Sequence, residues 1–484
     1  MTASALPSDI LEMSAVALSA AIHARTVSCV EVMRATLAQI ARYNPAVNAI
    51  VALQDPVQLL AEAAERDARL ARGESAGPLH GFPLAVKDFD PVRGLPFSQG
   101  SPIFRHRIAP ADSIMAGRFR CGGVVFTGKT NIPEFGLGSH TYNPVHGATA
   151  NAYDQRKSAG GSSGGAAVSV ALRMQPVADG SDHAGSLRNP PAFNNLFGLR
   201  TCYGRIPIAT PDVFAPGFGV SGAIGRSPAD IGLMLSVQAG ADPRVPYSIP
   251  QDPGIFAEDL KRDVSGTRIA WLGDFGGQIP FEPGVLDLGV AALSAFEVVG
   301  CRVEHAVPAF DMERLWRAYV LLRACANAAT LHPLYEDPAH RALLKPEAVW
   351  EVEQGMALTA DAVRMAQETR TAWYETVRLF MERFDFLVMP SAQVFPFAIE
   401  ADWPKQVGGR AMDTYHRWMQ VVIPATMSGL PALNVPAGFG PGGLPTGIQV
   451  VGRNHGELDC LRLGAAYDAA TNWVSRRPPP LLAA

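Results

Sequence analysis

Two glycine- and serine-rich turns, set on either side of one short helix and one strand, constrain this chain more than any other stretch. Lys157 to Arg188 reads KSAGGSSGGAAVSVALRMQPVADGSDHAGSLR. Gly160–Gly165 reads as a tight turn, Ala166 to Met174 as a short helix, and Gln175–Ala178 as a strand leading to a second glycine turn. Glycines flanking a serine permit positive φ and close backbone approach, so a hydroxyl can stand at the tip of such a turn. Ser162 stands in the first turn and Ser186, 24 residues on, in the second. Lys87 precedes Ser162 by 75 residues and ends the apolar run Pro83-Leu84-Ala85-Val86. Two serines in glycine-lined turns and a lysine beside apolar residues are the parts of a hydrolase whose base is an amine, not an imidazole.

Around this tract the chain alternates helix and strand signals. Residues 8–75 read as helical, with Ser28 and Glu31 in a capping-box pattern and Val30, Met33, Leu37 and Ile40 spaced along one helix face. Strand-like runs follow at Phe82–Val86 and Val124–Thr127. Arg268–Leu272, a helix at about 284–299 and a strand at Cys301–Glu304 make a β-α-β unit. Residues 310–382 read as helical and carry Trp316, Tyr319, Trp350, Trp373 and Tyr374; strands return at Phe386–Met389, Ala432–Val435 and Gly447–Val451. With 484 residues, 48% of them hydrophobic, the chain can bury a large core. The pattern predicts an α/β fold: a single large α/β/α layered domain with a mixed, twisted central sheet flanked by helices. Residues 1–75 are expected to pack as a helical segment on a catalytic body spanning 76–484. Within that body, residues 310–382 form a variable helical segment whose aromatics serve the core or wall a substrate pocket.

Charge narrows the function. Lys and Arg number 41 against 45 Asp and Glu, with no long basic run, so neither nucleic acid nor an anionic membrane is implied as a partner. Apolar stretches fall short of the roughly 18 residues that suggest a spanning helix. No Lys or Arg precedes the alanine-rich segment Met13 to Ile22, the first being Arg25, so it reads as a surface helix rather than a leader. Six cysteines without a C-x-x-C pair read as buried free thiols in a reducing cytoplasm.

Three motifs compete for the chemistry. Gly123–Thr130 fits G-x-x-x-x-G-K-T, a phosphate-binding pattern, but its interior Val-Val-Phe-Thr forms strands, and Asn131-Ile132-Pro133 does not open a helix. Gly160-Gly161-Ser162-Ser163-Gly164 fits G-x-S-x-G, the nucleophile elbow of an esterase-like Ser-His-Asp hydrolase, with His455 as the late histidine. The residues before it, Asp154 to Ser158, are polar and loop-like, whereas an elbow follows a strand. The third reading uses every tract at once: His80–Asp88, Thr127–Gly136, Gly160–Gly165, Gly180–Arg188 with Gly198-Leu199-Arg200, and late in the chain Ser428–Ala432, Val435–Gly438 and Gly447–Arg453. Together these resemble the amidase signature family over nearly the whole chain, most weakly at about 285–385.

The resemblance implies hydrolysis of a carbon–nitrogen amide bond (a carboxamide, or an aryl anilide or carbamate) without metal, nucleotide or other cofactor. It casts Ser186 as nucleophile, Ser162 as a proton relay on an unusual cis peptide bond, and Lys87 as the base. A neutral lysine requires burial to offset its ordinary preference for charge. Asp88 is expected to look away from it along the strand. Oxyanion donors are expected from the backbone N–H groups of His183, Ala184, Gly185 and Ser186. His183 and Ala184 stand where the family usually has Thr and Gly, so Ala184 is expected at negative φ and His183 to fill space. Asp182 and Arg188 read as a structural ion pair. Ser139, Tyr142, Gly161 and Phe193 are candidate substrate contacts. A small-molecule amide is the expected partner, a homodimer an open option, and the amide-transferring component of a glutamine-dependent amidotransferase the alternative function.

Overall fold

The computed structural model describes residues 7–215 and 217–483. An eight-stranded mixed sheet forms its centre, in the order Arg302–His305, Arg268–Trp271, Phe386–Pro390, Pro445–Val451, Ala432–Phe439, Phe197–Arg200, Val220–Gly225 and Val177–Asp182. The first three strands run parallel, and the helix Val285–Val298 carries the chain back between the first two, from Arg268–Trp271 to Arg302–His305. All remaining pairs are antiparallel. Helices pack against this sheet, and apolar clusters line it, as the alternation of sequence signals requires.

A second, three-stranded sheet lies beside it: Ile50–Val51, Val125–Thr130 and Pro83–Lys87, the last two parallel. The N-terminal region therefore does more than pack as helices, since it also contributes the strand Ile50–Val51. Its helices share one apolar cluster with the body, Ile22, Val32 and Leu59 belonging to it together with Phe82 and Phe119. The capping box at Ser28 and Glu31 is present, and both halves of it close.

Strand Val125–Thr130 runs straight through the phosphate-loop pattern, and Lys129 is sealed inside, its Nζ donating to the carbonyl of Asp90. That leaves no loop of free amides for a phosphate. The cysteines are unpaired; Cys29, Cys202, Cys301 and Cys460 are buried, but Cys325 is half-buried and Cys121 exposed, against the expectation of burial throughout. Among the described residues no helix is long and apolar enough to cross a membrane.

Candidate active site

Strand Pro83–Lys87 ends with Lys87 pointed at the first serine turn. Its Nζ lies 2.8 Å from Ser162 Oγ, 2.9 Å from Ser163 Oγ, 2.9 Å from Ser181 Oγ and 3.2 Å from the Ser181 carbonyl. Ser162 Oγ is in turn 3.0 Å from Ser186 Oγ. All three groups are nearly sealed, at 1% exposure for Lys87, 4% for Ser162 and 6% for Ser186. Residues 75 and 24 positions apart thus form one continuous chain of hydrogen-bonding atoms.

Local sequence explains the turns. The Gly161–Ser162 peptide is cis, and Gly160 has φ +76°. The helix Gly164–Ala171 starts immediately after, and it packs so closely that a Cβ on Gly165 would lie 2.4 Å from Asn131 N and 2.5 Å from the Ala49 carbonyl. Gly185 has φ +94°, with Asn189 Oδ1 2.7 Å from where its Cβ would be, so only glycine fits there. Ala184 is absent from the positive-φ residues, as expected.

An ion-pair network fixes the second turn. Arg188 grips Asp182 with two hydrogen bonds, Nη2 to Oδ1 at 2.9 Å and Nε to Oδ2 at 3.0 Å. Arg200, which ends the Gly198-Leu199-Arg200 tract, donates to the Asp182 carbonyl at 2.6 Å and to Oδ1 at 3.1 Å. Burial alone would raise the Asp182 carboxyl, but Arg188 and Arg200 hold it below the usual carboxylate range. Arg188 also donates to the Val422 carbonyl, Gln449 Oε1 and Thr426 Oγ1, which ties the turn to the central sheet and to the helix Ile423–Ser428.

That network alters the expected donor set. The Gly185 N–H donates to Asp182 Oδ1 at 2.9 Å, so it is committed to the turn rather than free for an oxyanion. The N–H groups of His183, Ala184 and Ser186 donate to nothing among the described residues.

Lys87 titrates far below its ordinary value of 10.5. Burial pushes it down to about 7, against the upward pull of Asp179 and then Asp182. Its hydrogen-bonding neighbours suit either state: hydroxyls accept from an ammonium and also donate to a neutral amine. Asp88 faces away, as expected, with Oδ2 accepting from Ser98 Oγ at 2.5 Å.

The other candidate contacts divide. Ser139 is buried, its hydroxyl 2.7 Å from the Gly161 carbonyl and 3.0 Å from Asn189 Oδ1, so it braces the cis turn. Gly161 packs on the backbone of Ser139 and His140. Phe193 is 0% exposed in the apolar cluster that also holds Ala184, which makes it packing beneath the turn rather than an open pocket wall. Tyr142 is half-buried between His140, 4.9 Å away ring to ring, and the Lys345 ammonium, 5.0 Å from its ring. His183 is half-buried beside Phe218 at 5.3 Å and Tyr319 at 6.2 Å. Tyr319, from the helix Met312–Glu336, is the aromatic of the 310–382 segment that reaches this turn; Trp373 instead donates to the Pro424 carbonyl within the core. His455 is exposed, and Ser162 has Lys87 and Ser186 where an elbow serine would have an imidazole.

Ser163, Ser181 and Asp179 complete the surroundings of Lys87 and were missed by motif reasoning. Ser163 adjoins Ser162 in sequence; Asp179 and Ser181 are polar residues two apart in a buried strand, a signal that alternation could have given.

The amidase family model matches residues 31–461. An acylamidase of Rhodococcus erythropolis is 33% identical over 470 residues, covering 96% of this chain and 97% of that protein. A glutamyl-tRNA(Gln) amidotransferase subunit of Acidothermus cellulolyticus is 33% identical over 493 residues, covering 96% of this chain and 95% of that one. The crystal structure of a bacterial aryl acylamidase of the amidase signature family superposes with a TM-score of 0.90 at 27% identity, covering 97% of this chain and 98% of that one.

Proposed function

The chain belongs to the amidase family, and from that premise we propose that it hydrolyses a linear carboxamide or aryl anilide through an acyl-enzyme on Ser186. The observation that carries this reading is the continuous path Lys87 Nζ, Ser162 Oγ, Ser186 Oγ, with steps of 2.8 and 3.0 Å. Neutral Lys87 takes the Ser162 proton while Ser162 takes that of Ser186, and the freed Ser186 oxygen attacks the amide carbon. The negative oxygen that results faces the N–H groups of His183, Ala184 and Ser186. The proton returns through Ser162 to the departing amine as the C–N bond breaks. Water then attacks the ester by the same relay, releasing the acid and restoring Ser186. The path begins and ends on protein groups, so no cofactor enters it.

A fluorophosphonate probe tests the assignment directly: labelling should map to Ser186 and disappear in Ser186→Ala, whereas labelling at Ser162 would overturn it. A panel of amides, anilides, esters and carbamates then ranks substrates. The amidotransferase relative is as similar in sequence as the acylamidase, so the second reading is the amide-transferring component of such an enzyme. Two features favour a free-standing amidase: His183 and Ala184 in the nucleophile turn, and the close superposition on the aryl acylamidase. Hydrolysis of an anilide by the purified chain alone, without glutamine-dependent transfer, separates the two.

A further inference from the structure

Strand Pro83–Lys87 pairs on one side with Val125–Thr130 and meets side chains on the other. There Gln175 Oε1 accepts from the Ala85 N–H at 2.9 Å, and the Asp179 carboxylate accepts from the Lys87 N–H, with Oδ1 at 3.1 Å and Oδ2 at 3.2 Å. Two acceptors, serving positions two residues apart along the strand, perform the same backbone task. One is a neutral amide and the other an acid. Asp179 is 1% exposed, and burying a carboxylate costs far more than burying an amide. An amide at 179 would cap the edge as Gln175 does, so the charge answers to something besides the edge.

Lys129 is one cation in its field, and alternation along Val177–Asp182 points to a second. Residues 179 and 181 share one face of the strand, and 182 faces the other way. Ser181 meets the Lys87 amine while Asp179 meets the Lys87 main chain. Asp182, on the opposite face, is held by Arg188 and Arg200. We propose that Asp179 is a positioning residue for the reaction: its buried carboxylate fixes the backbone of Lys87 and its charge sets how readily the Lys87 amine takes up the serine proton. This rests on the assignment of Lys87 as base.

The charges around the pair are few. Lys87 faces Asp179 and Asp182; Asp179 faces Asp90, Lys129 and Lys87; Lys129 in turn faces Asp88, Asp90 and Asp179. Asp182 is already matched by two guanidinium groups, and Asp90 accepts from Ser113 Oγ at 2.6 Å. Burial and then Asp90 push the Asp179 carboxyl up to about 7, against the Lys87 N–H, Lys129 and the Lys87 amine, so above that pH it is a carboxylate whose field reaches Lys87 without a guanidinium of its own. Burial lowers the amine, and Asp179 is the largest opposing influence. Removing its charge makes the ammonium less stable, so Lys87 stays neutral to lower pH and is a weaker base.

The test is Asp179→Asn, which keeps an acceptor for the Lys87 N–H and removes the charge. The acid limb of kcat/KM for an anilide should move down by about one pH unit, a tenfold change in proton affinity, and the plateau should fall about tenfold. The pH dependence of fluorophosphonate labelling should move in the same direction without any turnover. Gln175→Ala, which opens the same edge, should lower Tm and leave the limb in place. An unmoved limb in Asp179→Asn, with only Tm or plateau reduced, would reduce Asp179 to an edge cap and overturn the proposal. Asp179→Ser carries the same expectation if the asparagine variant fails to fold. Lys87→Met separates the two levels: a residual rate flat across this pH range assigns the limb to Lys87, whereas a retained wild-type limb overturns the base assignment itself.

Discussion

Two lysines stand almost side by side in this protein, and different groups surround their amines. Lys87 and Lys129 lie on neighbouring parallel strands, in the register Val86 with Lys129 and Lys87 with Thr130. Both are sealed, at 1% and 0% exposure. Around the Lys87 amine are three hydroxyls and a carbonyl. Lys129 donates to the Asp90 carbonyl, lies 5.7 Å from the Phe97 ring centre and sits in the field of Asp88, Asp90 and Asp179. Burial lowers both, against the pull of Asp179 and Asp182 at Lys87 and of Asp88, Asp90 and Asp179 at Lys129. Depth alone does not make a base. A lysine can shed its proton to hydroxyls, which donate as well as accept; Lys129 has a backbone carbonyl as its acceptor instead, with the fields of Asp88, Asp90 and Asp179 opposing the effect of burial.

The comparison can be broken at several points. The largest effect is expected from Ser186→Ala, which removes the end of the Lys87 path: anilide hydrolysis should fall by at least about 10⁴-fold with an unchanged thermal melt. Activity retained there would detach the Lys87 path from the chemistry. Lys129→Met should behave in the reverse sense. Removing the cation in whose field Asp88, Asp90 and Asp179 lie should lower stability by about 2 kcal/mol in a urea titration, while kcat stays within about tenfold. A stability loss confined to Lys87 variants would dissolve the distinction.

Solution pH sharpens it further. The base must be neutral, and burial puts Lys87 at about 7, so kcat/KM should climb as pH rises through 7 and drop roughly tenfold per unit below it. A flat profile between pH 5 and 8 would contradict an amine base. The smallest effect belongs to His455→Ala: the imidazole is exposed and Ser162's partners are Lys87 and Ser186, so rates should remain within about twofold and stability within about 0.5 kcal/mol. A large loss there would restore the Ser-His-Asp reading.

Much of this was legible in the order of residues. The capping box at Ser28, the β-α-β unit at 268–305 and the strand through Gly128 each follow from local patterns, and each is present. The strand Ile50–Val51 was not legible, because two residues are too few to set a period. Nor was the loss of the Gly185 donor, which depends on where the Asp182 carboxylate turns once Arg188 and Arg200 grip it. Phe193 was a candidate substrate contact by analogy alone; that it ends the helix Asn189–Phe193 inside the apolar cluster of Ala184 is set by packing.

Residue identity along the chain determined which groups could do chemistry: glycines where a turn must bend, serines at their tips, a lysine closing an apolar strand. Spacing and family pattern named Lys87, Ser162 and Ser186. What the tertiary structure alone decided is what touches Lys87. Ser163, Ser181 and Asp179 come from 76, 94 and 92 residues away. Whether a lysine is charged depends on lost water and on the few atoms within hydrogen-bond reach, and those are set by how distant strands pack, not by any neighbour in sequence.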